Sequence, residues 1–526
     1  MHRLRLLLSL LLVTMVVAAC AAPASTPATA VPAEPATAPT AAPAEPTAAP
    51  AASDAELRIG TGLNIAPSLI VTQGTVGYNM ITYGAGEALM RMNRQFQLEP
   101  WLAEEVTQID PLTWQIKLRS GVLFHDGSTM TASDVAESIK DSWANLAGAT
   151  NFLSKESEIA VIDATTLTIK TPAPAGNVPN ALANWNFVIH KPAQNDISIL
   201  TGMYRPVKLE KDQEMVFERF EQYWGGVPPL ARLIVKKIPD ANARALALQS
   251  GDLDMLTNVP PDIADALPAD ITRTSVPGTR MHHIILNHTR APFNDLAIRQ
   301  AASLAIDREA LLAATLAGQG AVASNMYPTS LGIPIVEAQI TDLEQAQALL
   351  DQAGWKPGAD GIREKDGRRL SFLLYSYPGR PELTQMAIAI QSQLQAVGFE
   401  VKVEEVADIV ATIEGGEFQA SMFSVNVSSD PQYMPGISLI TGANFNYGGY
   451  SNSAFDALFE QLRGEGDPAK RQELAKQLQE IVEADTPNIY LAVPPLITAF
   501  REGSITGYSP YADDLYLVTR ELGLSR

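Results

Sequence analysis

Polar and apolar positions along this chain repeat with two periods. In WQIKLR (114–119), Trp114, Ile116 and Leu118 alternate with Gln115, Lys117 and Arg119. A period of two turns one row of side chains to a core and the other to water, as in a half-buried strand. ELRIGTG (56–62) predicts a first strand, and MVFERF (215–220) and LIVKKIP (233–239) predict two more. SEIAVIDATTLTIKT (157–171) predicts a hairpin turning at Asp163-Ala164. Later the helical period appears between strands. RLSFLLYS (369–376) reads as a strand, PELTQMAIAIQSQLQAVG (381–398) as a helix and FEVKVEEV (399–406) as a strand. Pro381 suits the first helical turn and Gly398 the stop. This order predicts a parallel pair joined by a right-handed crossover. Two further helices are expected over 342–355, with Asp342 or Thr341 as cap and Gly354 at the end, and over 467–487. No repeat of 20–50 residues is evident, and the alternation of strands and helices predicts an α/β fold.

The first 53 residues do not follow either period. Arg3 and Arg5 precede 14 apolar or small residues, Leu6 to Ala19. That run is shorter than the roughly 20 residues of a spanning helix and reads as a signal peptide over 1–19. Residues 21–53 hold eight prolines and two acids among Ala, Thr and Ser, and cannot bury a core. Spaced prolines favour an extended tether, on the order of 100 Å long at full stretch. The single cysteine, Cys20, excludes an intrachain disulfide. The net charge is −20, and cleavage before Cys20 would remove two arginines and no acid, leaving about −22. Such a charge argues against nucleic acid or an anionic membrane surface as partner.

One triplet invites a catalytic reading: His125-Asp126-Gly127, in WQIKLRSGVLFHDGSTMTASDV. Asp-Gly is a strong turn pair. Thr131 or Ser133 can cap the helix after it, and Asp134 suits that helix's positive end. The triplet lacks a second, suitably spaced ligand set for a metal. It reads as a turn.

Several stretches together resemble solute-binding protein family 5, the extracytoplasmic binding proteins of peptide/nickel-type ABC importers. They are EPWLAEEV with TWQIKLRSGVLFHDGSTMTASDVAESI (99–139), the segment 201–256 from TGMYRPVKLE to GDLDML, LNHTRAPFNDLAIRQAASLAIDREALL (286–312), AQALLDQAGWKPGADGIREKDGRRLSFLL (346–374) and GYSNSAFDALFEQ (449–461). The resemblance covers residue 56 to the C-terminus. VAAC at 17–20 also resembles a bacterial lipobox, which implies a diacylglycerol on Cys20. The resemblance implies an α/β, two-lobed, type 2 periplasmic-binding-protein-like fold with an extra subdomain in the first lobe and two hinge crossings. The expected divisions are 1–19 signal peptide, 20–53 tether, 54–281 lobe 1 with a subdomain at about 85–185, 282–493 lobe 2, and 494–526 returning to lobe 1. Hinge candidates are RMHHIILN (280–287) and IYLAVPPLI (489–497).

The resemblance further implies a protein that performs no chemistry and needs no cofactor. A peptide, a nickel or metal–chelator complex, or another small polar solute would be its ligand. Permease and ATPase subunits would be separate partners, and the binding protein itself a monomer. A sensor lipoprotein with the same fold is the alternative, and a hydrolase a more distant one. Ligands of open α/β sheets bind beyond the carboxyl ends of strands. This selects Asn64, Tyr83, Glu87, Trp185 and Asn186 in the first lobe. Tyr377, Arg380, Asn426, Asp430 and Tyr447 are the candidates in the second. His283 and Asn287, on one face of the MHHIILNH strand, complete the candidate set. The family's peptide binders place an aspartate where this chain has Val427, and a tryptophan where it has Ser424. Asp430 corresponds to the following Asp-Pro. That departure puts recognition of a peptide α-amino group in doubt. The loop is closer to that of the nickel binders, but arginine and histidine counterparts for a chelate are not evident.

Overall fold

The computed structural model describes residues 53–525, except 63, 64, 66, 67, 337, 338 and 379. Cys20, the tether and Asn64 lie outside the described residues.

Two sheets organise the chain. The first has seven strands in the order Tyr204–Glu210, Glu214–Arg219, Arg232–Lys237, Glu56–Thr61, Met255–Leu256, Pro495–Arg501, Ile271–Pro277. The second has six: Ala321–Val322, Asn488–Val493, Arg280–Leu286, Ala420–Asn426, Ser371–Ser376, Glu400–Glu405. A four-stranded antiparallel sheet (103–170) with the helix Ala132–Asn145 forms an additional layer with its own apolar core. The periodic segments form the elements they predict. Thr113–Leu118 buries Trp114, Ile116 and Leu118 and exposes Gln115 and Lys117. Ser371–Ser376 and Glu400–Glu405 pair in parallel around the helix Pro381–Gln395. Gly398 sits three residues past that helix with φ +101°, a conformation that favours glycine. Asp342, not Thr341, caps the helix Leu343–Gln352 by accepting from the Gln345 N–H.

The His-Asp-Gly triplet is a turn. Asp126 accepts from the N–H and O–H of Ser128, and Gly127 has φ +83°. His125 Nε2 lies 2.9 Å from the Gly202 carbonyl, and the ring packs edge-on to Phe220. Burial pushes the imidazole down to about 4. Thr131 then caps the next helix in a reciprocal box with Asp134, an arrangement worth about 1 kcal/mol.

The chain passes between the two large sheets twice. It leaves the first through Gly278–Thr279, between the strands Ile271–Pro277 and Arg280–Leu286, and returns through Pro494. The crossings touch: the Gly278 N–H donates to the Pro494 carbonyl at 3.0 Å. The first crossing thus precedes the expected boundary at 281, because Arg280 and Met281 already pair with Asn426 and Val425 of the second sheet.

Candidate functional site

Thr279, at the first crossing, lines a cleft whose walls come from elements on either side of the crossings. The space is about 710 Å3 and open to solvent. On the first-sheet side, the helix Val76–Thr82 presents Tyr78, and the single turn Trp185–Phe187 presents Trp185. Asn184 holds that turn by accepting from the Asn186 N–H at 3.0 Å. Asn180 and the C-terminal Tyr516 complete this wall. On the other side, the strand Ala420–Asn426 ends in Asn426, and Val427, Ser428 and Ser429 follow. Tyr433 starts the next short helix. A second space of about 700 Å3 adjoins, sharing Tyr78, Asp513 and Tyr516 and adding Tyr83, Thr257, Asn258 and Tyr508.

The walls meet across this cleft. Phe152 stacks on Tyr433, with centroids 5.5 Å apart and planes within 9°. The Ser429 hydroxyl is 3.4 Å from Met92 Sδ. Phe96, at the tip of the hairpin Met90–Pro100, adopts φ +56° and packs against the second lobe's apolar cluster. A bulky residue rarely takes that conformation, so tertiary packing must hold it there. Further along, the Gly176 N–H donates to the Arg463 carbonyl at 2.8 Å. A Cβ at Gly176 would collide with the Glu465 carbonyl. Gly176→Ala is therefore expected to disfavour the meeting of the walls. Ligand affinity should fall about tenfold or more, with little change in the unfolding midpoint of the unliganded protein. Calorimetric titration and thermal unfolding check both; an unchanged affinity would refute the steric reading.

The electrostatics are sparse. Asp513 is the one charged side chain lining either space among the described residues, and it accepts from the Leu515 N–H. The loop of Asn426 to Tyr433 is pinned from behind. Asp430 is buried and accepts from Arg471 Nη2 at 2.6 Å and from the Gln432 N–H at 3.2 Å. Burial pushes its carboxyl up against the pull of Arg471.

The sequence candidates divide accordingly. Trp185 and Asn426 share the cleft, and Tyr83 lines the adjoining space while packing on Phe217 at 5.6 Å. Glu87 does not reach the cleft. It is 1% exposed, and its carboxyl accepts from the Tyr223 hydroxyl at 2.8 Å and from Trp224 Nε1. Burial pushes it up to about 7. Asn186 is buried behind Trp185. Asn287 spends its amide on the Gly416 and Phe418 carbonyls. Asp430 is the internal anchor just described.

His283 faces Phe423 and Tyr490 and opens, with His288, onto a smaller space inside the second lobe. Burial pushes both imidazoles down to about 4. Tyr377 packs on the second lobe's core, Arg380 lies 3.5 Å from Glu382, and Tyr447 packs on Phe423 and Phe445; none lines the cleft. The sequence reading missed Tyr78, Asn180, Tyr433 and Tyr516. Tyr433 lay within the loop it selected, and Asn180 just before Trp185, whereas nothing local marks Tyr516.

Comparison with known proteins gives this cleft its context. The model of bacterial extracellular solute-binding proteins, family 5 (middle region), matches residues 97–446. The chain belongs to this family. As a family 5 protein it is the solute-binding component of an ABC importer and not an enzyme. The nickel-binding protein NikA of Staphylococcus aureus is 26% identical over 462 residues, spanning 85% of this chain and 90% of the relative. The oligopeptide-binding protein AppA of Bacillus subtilis is 27% identical over 474 residues, spanning 82% and 85%. The crystal structure of NikA from Brucella suis with Fe(III)-EDTA shares the fold, with a TM-score of 0.80 at 22% identity, covering 90% of this chain and all of that one. The family is extracytoplasmic. Among the described residues no helix is long and apolar enough to cross a membrane.

Proposed function

We propose that this family 5 protein captures a small polar solute between its lobes, closes over it, and delivers it to a permease and ATPase carried on other chains. The observation that carries this reading is the cleft itself. Its walls come from either side of the crossings Gly278–Thr279 and Pro494, which join the two large sheets, and they meet through the Phe152–Tyr433 stack. A solute touching both walls makes its full set of contacts only when they are together. It therefore shifts the population toward the closed form by its differential affinity. Paired crossings of one or two residues are where such a motion can be absorbed at small cost. The first lobe extends over 54–277, with 495–526 returning, the second over 280–493, and the crossings act as the hinge.

The N-terminus fits the same role. Acylation of Cys20 and the 21–53 tether would hold the domain at the outer face of the cell membrane while leaving it free to meet a permease. Two acyl chains anchor stably without a spanning helix. The curated relatives carry names for nickel and oligopeptide binding.

The protein purified from its own cells, with the solute it retains, is expected to give a smaller radius of gyration than the same protein after that solute is removed. Small-angle scattering measures both. Equal radii, with retention of the solute verified by mass spectrometry, would refute capture by closure.

A further inference from the structure

We infer that the cleft takes a neutral, polyhydroxylated solute, a saccharide. This rests on the closed-cleft reading and narrows the class of ligand it captures. The starting point is the absence of fixed cations. Among the described residues no Lys, Arg or His lines the cleft or the adjoining space. A carboxylate or phosphate enclosed there would lose water without meeting a countercharge, at a cost of several kcal/mol. Arg463 lines a further space beyond the Phe152–Tyr433 stack, where its charge is paired with Glu460.

A ligand ammonium fares little better. Val427 stands buried in the wall, where its apolar side chain offers nothing to a cation. The lone carboxylate, Asp513, is already engaged by the Leu515 N–H. It suits a hydroxyl donor, which needs an acceptor but no full neutralisation. A bare metal ion lacks its ligands too: no group of three or more His, Cys, Asp or Glu is arranged to hold one among the described residues.

What the walls do offer matches sugar rings. Trp185 and Tyr78 are half-buried and supply flat apolar faces with polar tips, while Tyr433, with one face covered by Phe152, and the buried Tyr516 back them. Pyranose rings present C–H faces edged by hydroxyls, and stack on such surfaces. The amides of Asn180 and Asn426 line the same space, and neither side chain has a hydrogen-bond partner among the described residues. An amide carries both donors and acceptors, as a sugar hydroxyl does. Unpaired amides beside aromatic faces, in a space without cations, form a lining complementary to a neutral polyol. The cleft and its neighbour are contiguous through Tyr78 and Tyr516.

The test is thermal shift followed by calorimetric titration of the full chain. The probes are cellobiose, maltotriose, xylotriose and mannotriose, set against a tripeptide, a pentapeptide and nickel with histidine. At least one saccharide is expected to bind, and a roughly tenfold rise in salt should change its affinity less than about twofold. Asn426→Ala is expected to weaken binding about tenfold. Trp185→Ala should weaken it at least as much. The Asn426 side chain is exposed and unpartnered, so its variant tests the site even if removing Trp185 disturbs folding. Binding of a peptide or of nickel–histidine without any saccharide would overturn the inference and leave capture by closure intact. Silence from all four saccharides would overturn it as well, as would a saccharide indifferent to Asn426→Ala. Closure is tested separately, by the scattering radius with whatever solute the protein retains.

Discussion

Arg471→Met is expected to lower the unfolding free energy by about 3–5 kcal/mol, the usual cost of removing one partner from a buried ion pair. Both side chains are nearly inaccessible, at 7% and 6%. The guanidinium also satisfies the Leu462 and Glu465 carbonyls, at 3.0 Å each. Methionine keeps much of the stem's volume but none of these bonds, so Asp430 is left buried and uncompensated. Its carboxyl can escape by taking a proton. Burial already pushes it up, and without Arg471 it should rise further. A raised acid costs stability as pH climbs from the unfolded value near 4 toward the folded one, so the deficit should be larger at pH 8 than at pH 5. The double variant Asp430→Asn, Arg471→Met should recover part of it. Denaturant unfolding at the two pH values decides the matter, and a loss below about 1 kcal/mol would show that the pair contributes little. The pair also pins the loop from Asn426 to Tyr433, so solute affinity should fall together with stability.

The second large effect is a loss of stability in acid that traces to histidines rather than to carboxylates. His125, His283 and His288 are each pushed down to about 4 by burial. The folded protein keeps them neutral where the unfolded chain binds protons, below about 6.5. Their contribution is whole above that pH and is lost as pH falls to about 4. Each supplies a slope of about 1.4 kcal/mol per pH unit and a total of about 3 kcal/mol. Glu87 works in the opposite sense. Raised to about 7, it loses stability as pH rises from about 4.5 to 7 and offsets one histidine in that window. His125→Gln should therefore reduce the slope of unfolding free energy between pH 6.5 and 4.5 by about 1.4 kcal/mol per unit. The glutamine amide can still donate to the Gly202 carbonyl. An unaltered slope would mean that His125 titrates alike in both states.

Local chemistry explains why some features could be read in advance. The turn at His125-Asp126-Gly127 and the reciprocal cap of Thr131 and Asp134 need only neighbours in sequence. The alternation in Thr113–Leu118 needs only one buried face. Capping groups and periods act over a few residues, and so does their signature. The candidate residues failed where the deciding partner was remote. Glu87 was expected to reach the cleft, but its carboxyl is taken by Tyr223 and Trp224. Asp430 looked like a ligand to solute, but Arg471 reaches it from the helix Pro468–Asp485. Nothing in the sequence around either residue signals such a partner.

The sequence by itself determined the family, the α/β alternation, and the places of the main strands and helices. Only the tertiary structure decided that Trp185, Asn426, Tyr433 and Tyr516 face one space, that the sheets part at Gly278–Thr279 and Pro494, and that the lining carries no cation. The physical reason is the range of each signal. Hydrophobic periodicity tells which side of an element is buried but not what lies against it. A cleft between lobes is assembled from positions far apart in the chain, whose meeting depends on how whole sheets pack.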